Sequence, residues 1–300
     1  MSILDRLIVG SVRCLPRWLV RRVASRYVAG ETMDEAVRVV RDLMASGGCA
    51  TFDVLGEFIT KESEADETLE QYMELLHRIV EEQLDANVSI KLTGFGLLLD
   101  EEACYARVRQ LVALATTLKC FVRIDMEDSP VTDRTLAIYR RLRSEGFDRV
   151  GVVLQAYLRR TPGDVESLAS LRPSYRLCKG IYVEPEAIAY KGRGEIQAQY
   201  RTLLEQMLDR GSYVGIATHD PDLVASSRAL VAKRGLKRDQ YEFQMLLGVA
   251  ETLRASLISE GHRLRVYVPF GRDWYAYSIR RLKENPSIGR HVLRGLFSRK

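Results

Sequence analysis

Histidine is scarce in this chain: His77, His219, His262 and His291 are the only four, and none belongs to an HExxH or sits among clustered carboxylates. A catalytic metal needs three or four convergent ligands, so no metal is expected. A GxSxG elbow and a GxxxxGK(S/T) loop are also missing, which removes the commonest acyl-transfer and nucleotide-hydrolysis chemistries. The five cysteines, Cys14, Cys49, Cys104, Cys120 and Cys178, are odd in number, widely spaced and free of any CxxC pair. That usage excludes a disulfide framework and a zinc knuckle and fits a reducing, cytoplasmic compartment. No apolar run approaches the roughly 18 residues of a spanning helix. No repeat, low-complexity tract or Pro/Gly linker marks a second domain.

What is present fits one large domain: 300 residues, 46% of them hydrophobic. The net charge of +5 is local, because residues 1–30 hold six arginines (Arg6, Arg13, Arg17, Arg21, Arg22, Arg26) against the single Asp5. The other 270 residues are neutral overall, so no nucleic-acid stripe is expected. Leu4, Leu7, Ile8, Leu15, Trp18, Leu19 and Val23 recur among the arginines at helical spacing. Residues 1–45 therefore read as a helical segment packed on the domain that follows, with a transit peptide or peripheral attachment to a membrane surface as the alternatives.

From Cys49 onward short apolar runs alternate with segments of helical periodicity. Eight strands are predicted: Ala50 to Leu55, Val88 to Leu92, Phe121 to Met126, Gly151 to Ala156, Tyr175 to Gly180, Tyr213 to Thr218, Tyr241 to Leu246 and Leu264 to Val268. Helices are predicted at Glu67 to Leu84, Glu101 to Leu118, Thr132 to Ser144, Ile196 to Leu208 and Leu223 to Lys233, with apolar residues three and four apart. Eight alternating βα units favour an α/β fold closed as a (β/α)₈ TIM-like barrel over residues 46–300. An open doubly wound sheet is less favoured, because no GxGxxG follows the first strand.

In such a barrel the C-terminal strand ends face one another across the mouth, where chemistry collects. Seven of the eight strands supply polar candidates there: Lys91; Asp125 with Met126 and Glu127; Gln155; Arg176 with Lys179; Thr218 with His219 and Asp220; Gln244; and Tyr267. Beyond the last strand, Tyr277, Arg280 and Glu284 share one helix face with Arg281 at its edge. A solvated basic helix would look similar, but the strand running into Gly271 places this arginine pair at a site-forming junction. Two guanidinium forks match a small carboxylate. The cation-rich mouth suits an anionic substrate together with an anionic cofactor.

These segments resemble the proline dehydrogenases. The resemblance rests on LGE at Leu55 to Glu57, IKLTGFG at Ile90 to Gly96, RIDMED at Arg123 to Asp128, GVVLQAYLRRT at Gly151 to Thr161 and RLCKGIY at Arg176 to Tyr182. It continues through ATHD at Ala217 to Asp220, EFQMLLG at Glu242 to Gly248 and VYVPFGRDWYAYSIRRLKENP at Val266 to Pro286. It implies a distorted barrel that oxidises L-proline to Δ1-pyrroline-5-carboxylate with FAD, passing electrons to a membrane quinone. A pyrroline-5-carboxylate dehydrogenase is the implied functional partner. It further implies catalytic roles for Asp125 and Arg176, and substrate contacts from Lys91, Tyr267, Arg280 and Arg281, with Glu284 pairing the arginine fork. FAD contacts would come from Met126, Gln155, Lys179, Gly180, Ile181, Thr218 and His219, with Met245 and Leu246 as apolar wall. The chain departs from the family pattern at Ile181, Asp220 and Leu247. Taken without the resemblance, the residues also admit a Schiff-base lyase or aldolase using Lys91 or Lys179, and a non-catalytic amino-acid-binding barrel.

Overall fold

The computed structural model describes residues 21, 24–275 and 277–279. Arg280, Arg281, Glu284 and most of the basic N-terminal segment lie outside the described residues. Helix α1 (Met33–Ala45) opens on a capping box in which the Thr32 hydroxyl accepts from Glu35 N–H and Glu35 returns to Thr32 N–H. Its buried stripe of Ala36, Val37, Val40 and Leu43 joins the main core, and the chain enters β1 (Cys49–Val54) four residues after the helix ends.

Strand and helix then alternate: α2 (Glu62–Glu81), β2 (Ala86–Ile90), α3 (Glu101–Thr117), β3 (Val122–Ile124), α4 (Ser129–Ser144), β4 (Val150–Gln155), α5 (Thr161–Leu168), β5 (Ser174–Cys178), α6 (Arg193–Asp209), β6 (Tyr213–Ala217), α7 (Pro221–Lys233), β7 (Tyr241–Leu246), α8 (Glu251–Ser259) and β8 (Leu264–Phe270). All neighbours pair in parallel, and β1 pairs both β2 and β8, so the cylinder closes. This bears out the barrel and removes the open sheet. The predicted helices begin up to five residues too late because polar N-terminal signals precede their apolar stripes: Pro130 at the start of α4, and Asp220 capping α7 ahead of Pro221. Helices α5 and α8, of 8 and 9 residues, are too short for the periodicity to stand out.

Alternation along each strand sorts the side chains. Phe52, Val88, Ile90, Val122, Ile124, Val152, Leu154, Leu177, Val214, Ile216, Phe243, Val266 and Val268 belong to the apolar core shared with the helices. The residues between them fill the lumen, and many are charged, in contrast to the branched aliphatic layers common in such barrels. Arg265 (β8) donates to both oxygens of Glu242 (β7) at 2.8 and 3.0 Å. Glu242 accepts from Gln244 Nε2 at 2.6 Å, and Arg123 (β3) donates to the Ser174 hydroxyl (β5) at 2.9 Å. Such groups tolerate burial only when bonded, and space is made for them by glycine. A Cβ on Gly151 would stand 2.4 Å from Arg123 Nη1, and one on Gly215 would stand 2.4 Å from Gln244 Nε2.

Candidate active site

Above that polar plug, a cavity of about 280 Å³ opens among the C-terminal strand ends. Asp125 is its hub. Residue 125 follows β3 directly, its N–H donating to Ile90 O at 2.9 Å, which turns the carboxylate toward the axis. Arg176 Nη1 donates to Asp125 Oδ1 at 2.7 Å, and the Tyr267 hydroxyl donates to Asp125 Oδ2 at 2.8 Å. Lys91 Nζ lies 3.7 Å from the same oxygen, donates to Tyr267 at 3.3 Å and donates to Asp53 Oδ1 at 2.7 Å. The Arg176 guanidinium carbon is 5.2 Å from the Tyr267 ring centroid, within cation–π range. Strands β1, β2, β3, β5 and β8 thus converge on one cluster of two carboxylates and two cations.

Burial works against the Lys91 ammonium, but Asp53, Tyr267 and Asp125 outweigh it and hold its pKa well above the ordinary lysine value. Burial lifts the Asp53 carboxyl, offset in part by Lys91. Burial also lifts the Tyr267 phenol, with Asp125 and Asp53 adding to the effect, so it remains a proton donor to the carboxylate. A lysine held this firmly protonated is a poor amine nucleophile, which counts against the Schiff-base reading for Lys91. The Cys178 thiol, also on the cavity wall, is pushed up to about 12 by burial and is no nucleophile either.

One side of the cavity is lined by Met126, Gln155, Lys179, Gly180, Ile181 and His219, with Met245 and Leu246. Gln155 Nε2 donates to Glu127 O at 2.9 Å, which anchors its amide. His219 Nε2 accepts from Leu246 N–H at 2.8 Å, which fixes that nitrogen as the unprotonated one. Lys179 donates to Asp220 Oδ2 at 3.2 Å. Thr218 is buried and does not line the cavity: its hydroxyl accepts from Asp220 N–H at 3.1 Å and shapes the turn into α7. Leu247 is likewise outside the lining.

A model of the family described as proline dehydrogenase matches residues 36–293. The chain belongs to the proline dehydrogenase family. It is 40% identical over 276 residues to proline dehydrogenase 1 of Bacillus subtilis subsp. natto, covering 92% of this chain and 91% of that one. It is 38% identical over 289 residues to the proline dehydrogenase of Deinococcus radiodurans, covering 95% and 93%. Among solved structures it resembles proline utilization A from Bdellovibrio bacteriovorus inactivated by N-propargylglycine, with TM-score 0.82 and 27% identity. The match covers 93% of this chain and 34% of that longer one.

Within this proline dehydrogenase fold, Lys91, Asp125, Arg176 and Tyr267, all named from the sequence, meet in one cluster, which also holds Asp53, the partner of Lys91, not named there. The signal was there: a lone carboxylate in the otherwise uncharged run CATFDV of β1, at a lumen-facing position. Tyr182 and Tyr277 are further lining residues to which the reading gave no contact role. Among the described residues no group of three or more His, Cys, Asp and Glu side chains is placed to hold a metal ion, and no helix is long and apolar enough to cross a membrane.

Proposed function

We propose that this chain oxidises L-proline to Δ1-pyrroline-5-carboxylate with FAD, electrons passing onward to a membrane quinone. The observation that carries the reading is the meeting of Lys91, Asp125, Arg176 and Tyr267 in one cavity of a chain whose family model spans 258 of its residues, from 36 to 293. Amine oxidation needs a redox cofactor, because no side chain accepts a hydride, and FAD when bound supplies that acceptor.

The residues along the Lys179 side fit such a group. Gly180 lines the cavity with φ +110°, and a Cβ there would stand 2.1 Å from the Tyr157 ring, so only glycine lets residues 179–181 hold this course along the cavity wall. Lys179 supplies a cation for phosphate, and Met126, Met245 and Leu246 supply apolar surface for a ring system. Met126, Gln155, residues 179–181 and His219 would hold the cofactor, with Thr218 acting through the backbone turn.

On the other side, Lys91 with Arg280 and Arg281 would bind the proline carboxylate, Glu284 would pair the arginine fork, and Tyr267 would pack on the substrate ring. The described cluster of Asp53, Asp125, Lys91 and Arg176 is balanced in formal charge, so the arginine pair is the part that would neutralise an incoming carboxylate. Asp125 would hold Arg176 in place, and Arg176 would present a cation to the bound cofactor. The product is a substrate for a pyrroline-5-carboxylate dehydrogenase. Residues 1–45 would pack on the barrel at the cytoplasmic membrane face.

Anaerobic addition of proline to the purified protein tests the reading. Bleaching of the visible flavin band is the expected result. A colourless protein trapped covalently by borohydride would point to the lyase, and proline binding without bleaching to a barrel that only binds amino acids.

A further inference from the structure

We propose that Gln244 is the positioning residue for Arg176, with the direction of its amide imposed by Glu242. The inference rests on the reading of Arg176 as part of the proline-oxidising centre. Arg176 is buried and is held at two edges: Nη1 donates to Asp125 across β4, and Nε donates at 2.5 Å to Gln244 Oε1 across β6. One contact alone would let the planar group pivot about it. Two contacts from opposite walls of the lumen fix both its tilt and its depth.

An amide has an oxygen end and a nitrogen end, and nothing in Gln244 itself decides which faces Arg176. Glu242 decides it. Gln244 Nε2 donates to Glu242 Oε1 at 2.6 Å, and the same carboxylate is gripped by Arg265 through both oxygens and approached by Arg263 Nε at 3.3 Å. Burial raises the Glu242 carboxyl, but Arg265 outweighs it and brings the group down to about 2. Glu242 therefore stays an anion that accepts only, the NH₂ of Gln244 must face it, and the carbonyl is left for Arg176. Gly215 completes the device, since any Cβ there would intrude on Gln244 Nε2. The result is a continuous series of contacts, Arg265 to Glu242 to Gln244 to Arg176 to Asp125, buried at the lumen floor and part-buried at the mouth.

Gln244→Met keeps the length of the side chain and removes both bonds, leaving Arg176 tethered only by Asp125. Gly215→Ala presses on Gln244 from β6, where Gly215 is the register partner of Arg176, and serves as the second test should the first variant fold poorly. Proline turnover, KM for proline and the midpoint potential of the bound flavin are measured for both beside the parent. For Gln244→Met, kcat is expected to fall ~10- to 100-fold with KM changed less than about 3-fold, because the carboxylate clamp lies elsewhere. The flavin potential is expected to move to a more negative value as the cation loses its place. Gly215→Ala should move both quantities in the same directions by less. Parental kcat and potential in both variants would overturn the proposal, as would equal losses in kcat and KM with an unmoved potential. Should the parent itself fail to bleach with proline, the functional reading falls, and the comparison of potentials still decides the role of Gln244.

Discussion

The Tyr267 hydroxyl donates to Asp125 Oδ2 at 2.8 Å and accepts from Lys91 Nζ at 3.3 Å, so one phenol ties the carboxylate of β3 to the ammonium of β2. Removing it in Tyr267→Phe leaves the ring to pack and deletes only the tie. A hydrogen bond to charged partners is worth about 1.5–3 kcal/mol, so kcat/KM for proline should fall by ~10- to 100-fold. Steady-state kinetics at saturating acceptor measure it. A change under about 3-fold, within the spread of a neutral hydrogen bond, would mean that Asp125 and Lys91 hold their places without the phenol.

Gly180→Ala should strip the protein of flavin. The position combines φ +110° with a ring carbon of Tyr157 2.1 Å from any Cβ, so backbone strain of about 1–3 kcal/mol and a steric clash both displace the segment that lines the cavity. The ratio of visible flavin absorbance to protein absorbance after gel filtration reports the loss. The far-ultraviolet circular dichroism of the barrel should stay at the parental value.

Asp220→Asn should tighten FAD. Asp220 Oδ2 accepts from Lys179 at 3.2 Å and Gln197 at 2.9 Å, and Arg193 Nη2 lies 3.5 Å away, so one carboxylate draws on cations at the cavity edge. Burial pushes this carboxyl up, but Gln197 and Lys179 outweigh it and leave it below the usual aspartate value. Asparagine keeps the cap on Asp222 N–H and releases Lys179 toward an anionic ligand. Because the Lys179 side chain is 38% exposed, screening limits the gain to about 3- to 10-fold in Kd, read from flavin fluorescence on dilution.

Glu242→Gln should destabilise the barrel by about 3–5 kcal/mol at neutral pH, the cost of leaving Arg265 buried without its partner. The pH dependence has a definite sign. The folded-state pKa of about 2 lies below the unfolded glutamate value, so the stabilisation from Glu242 is complete above that unfolded value and is lost as pH falls toward 2. Urea titrations of parent and variant should therefore diverge at pH 7 and approach each other below about pH 4. A gap that stays constant down to pH 3 would exclude the ion pair as its cause.

Which parts of this architecture a reader of the sequence could see follows from which forces act locally. The eight strands were legible because parallel strands covered by helices carry apolar runs, and each run was punctuated by turns and a helix. Lys91, Asp125, Arg176 and Tyr267 were legible because polar residues at strand ends have one place to go in a barrel. Asp53 was not, because nothing beside it in β1 marks it as a site residue and its role depends on Lys91, 38 residues away. The lumen plug was hidden for the same reason. Arg265 is a lone charge in the strand LRVYVPF, and only closure of the cylinder brings it to Glu242. The setting of Thr218 was not legible either: its hydroxyl serves the backbone of the next turn, a local bond that strand alternation does not register.

The charged filling of the cylinder bears on how the chain could be divided or shortened. A stack of methyl groups gains something from every strand added, but Arg176 needs β3 and β7, and Glu242 needs β8. Any fragment of four or five staves would strand ionic groups without mates, so a cut through the ring costs this molecule more than it would cost a cylinder filled with methyl groups.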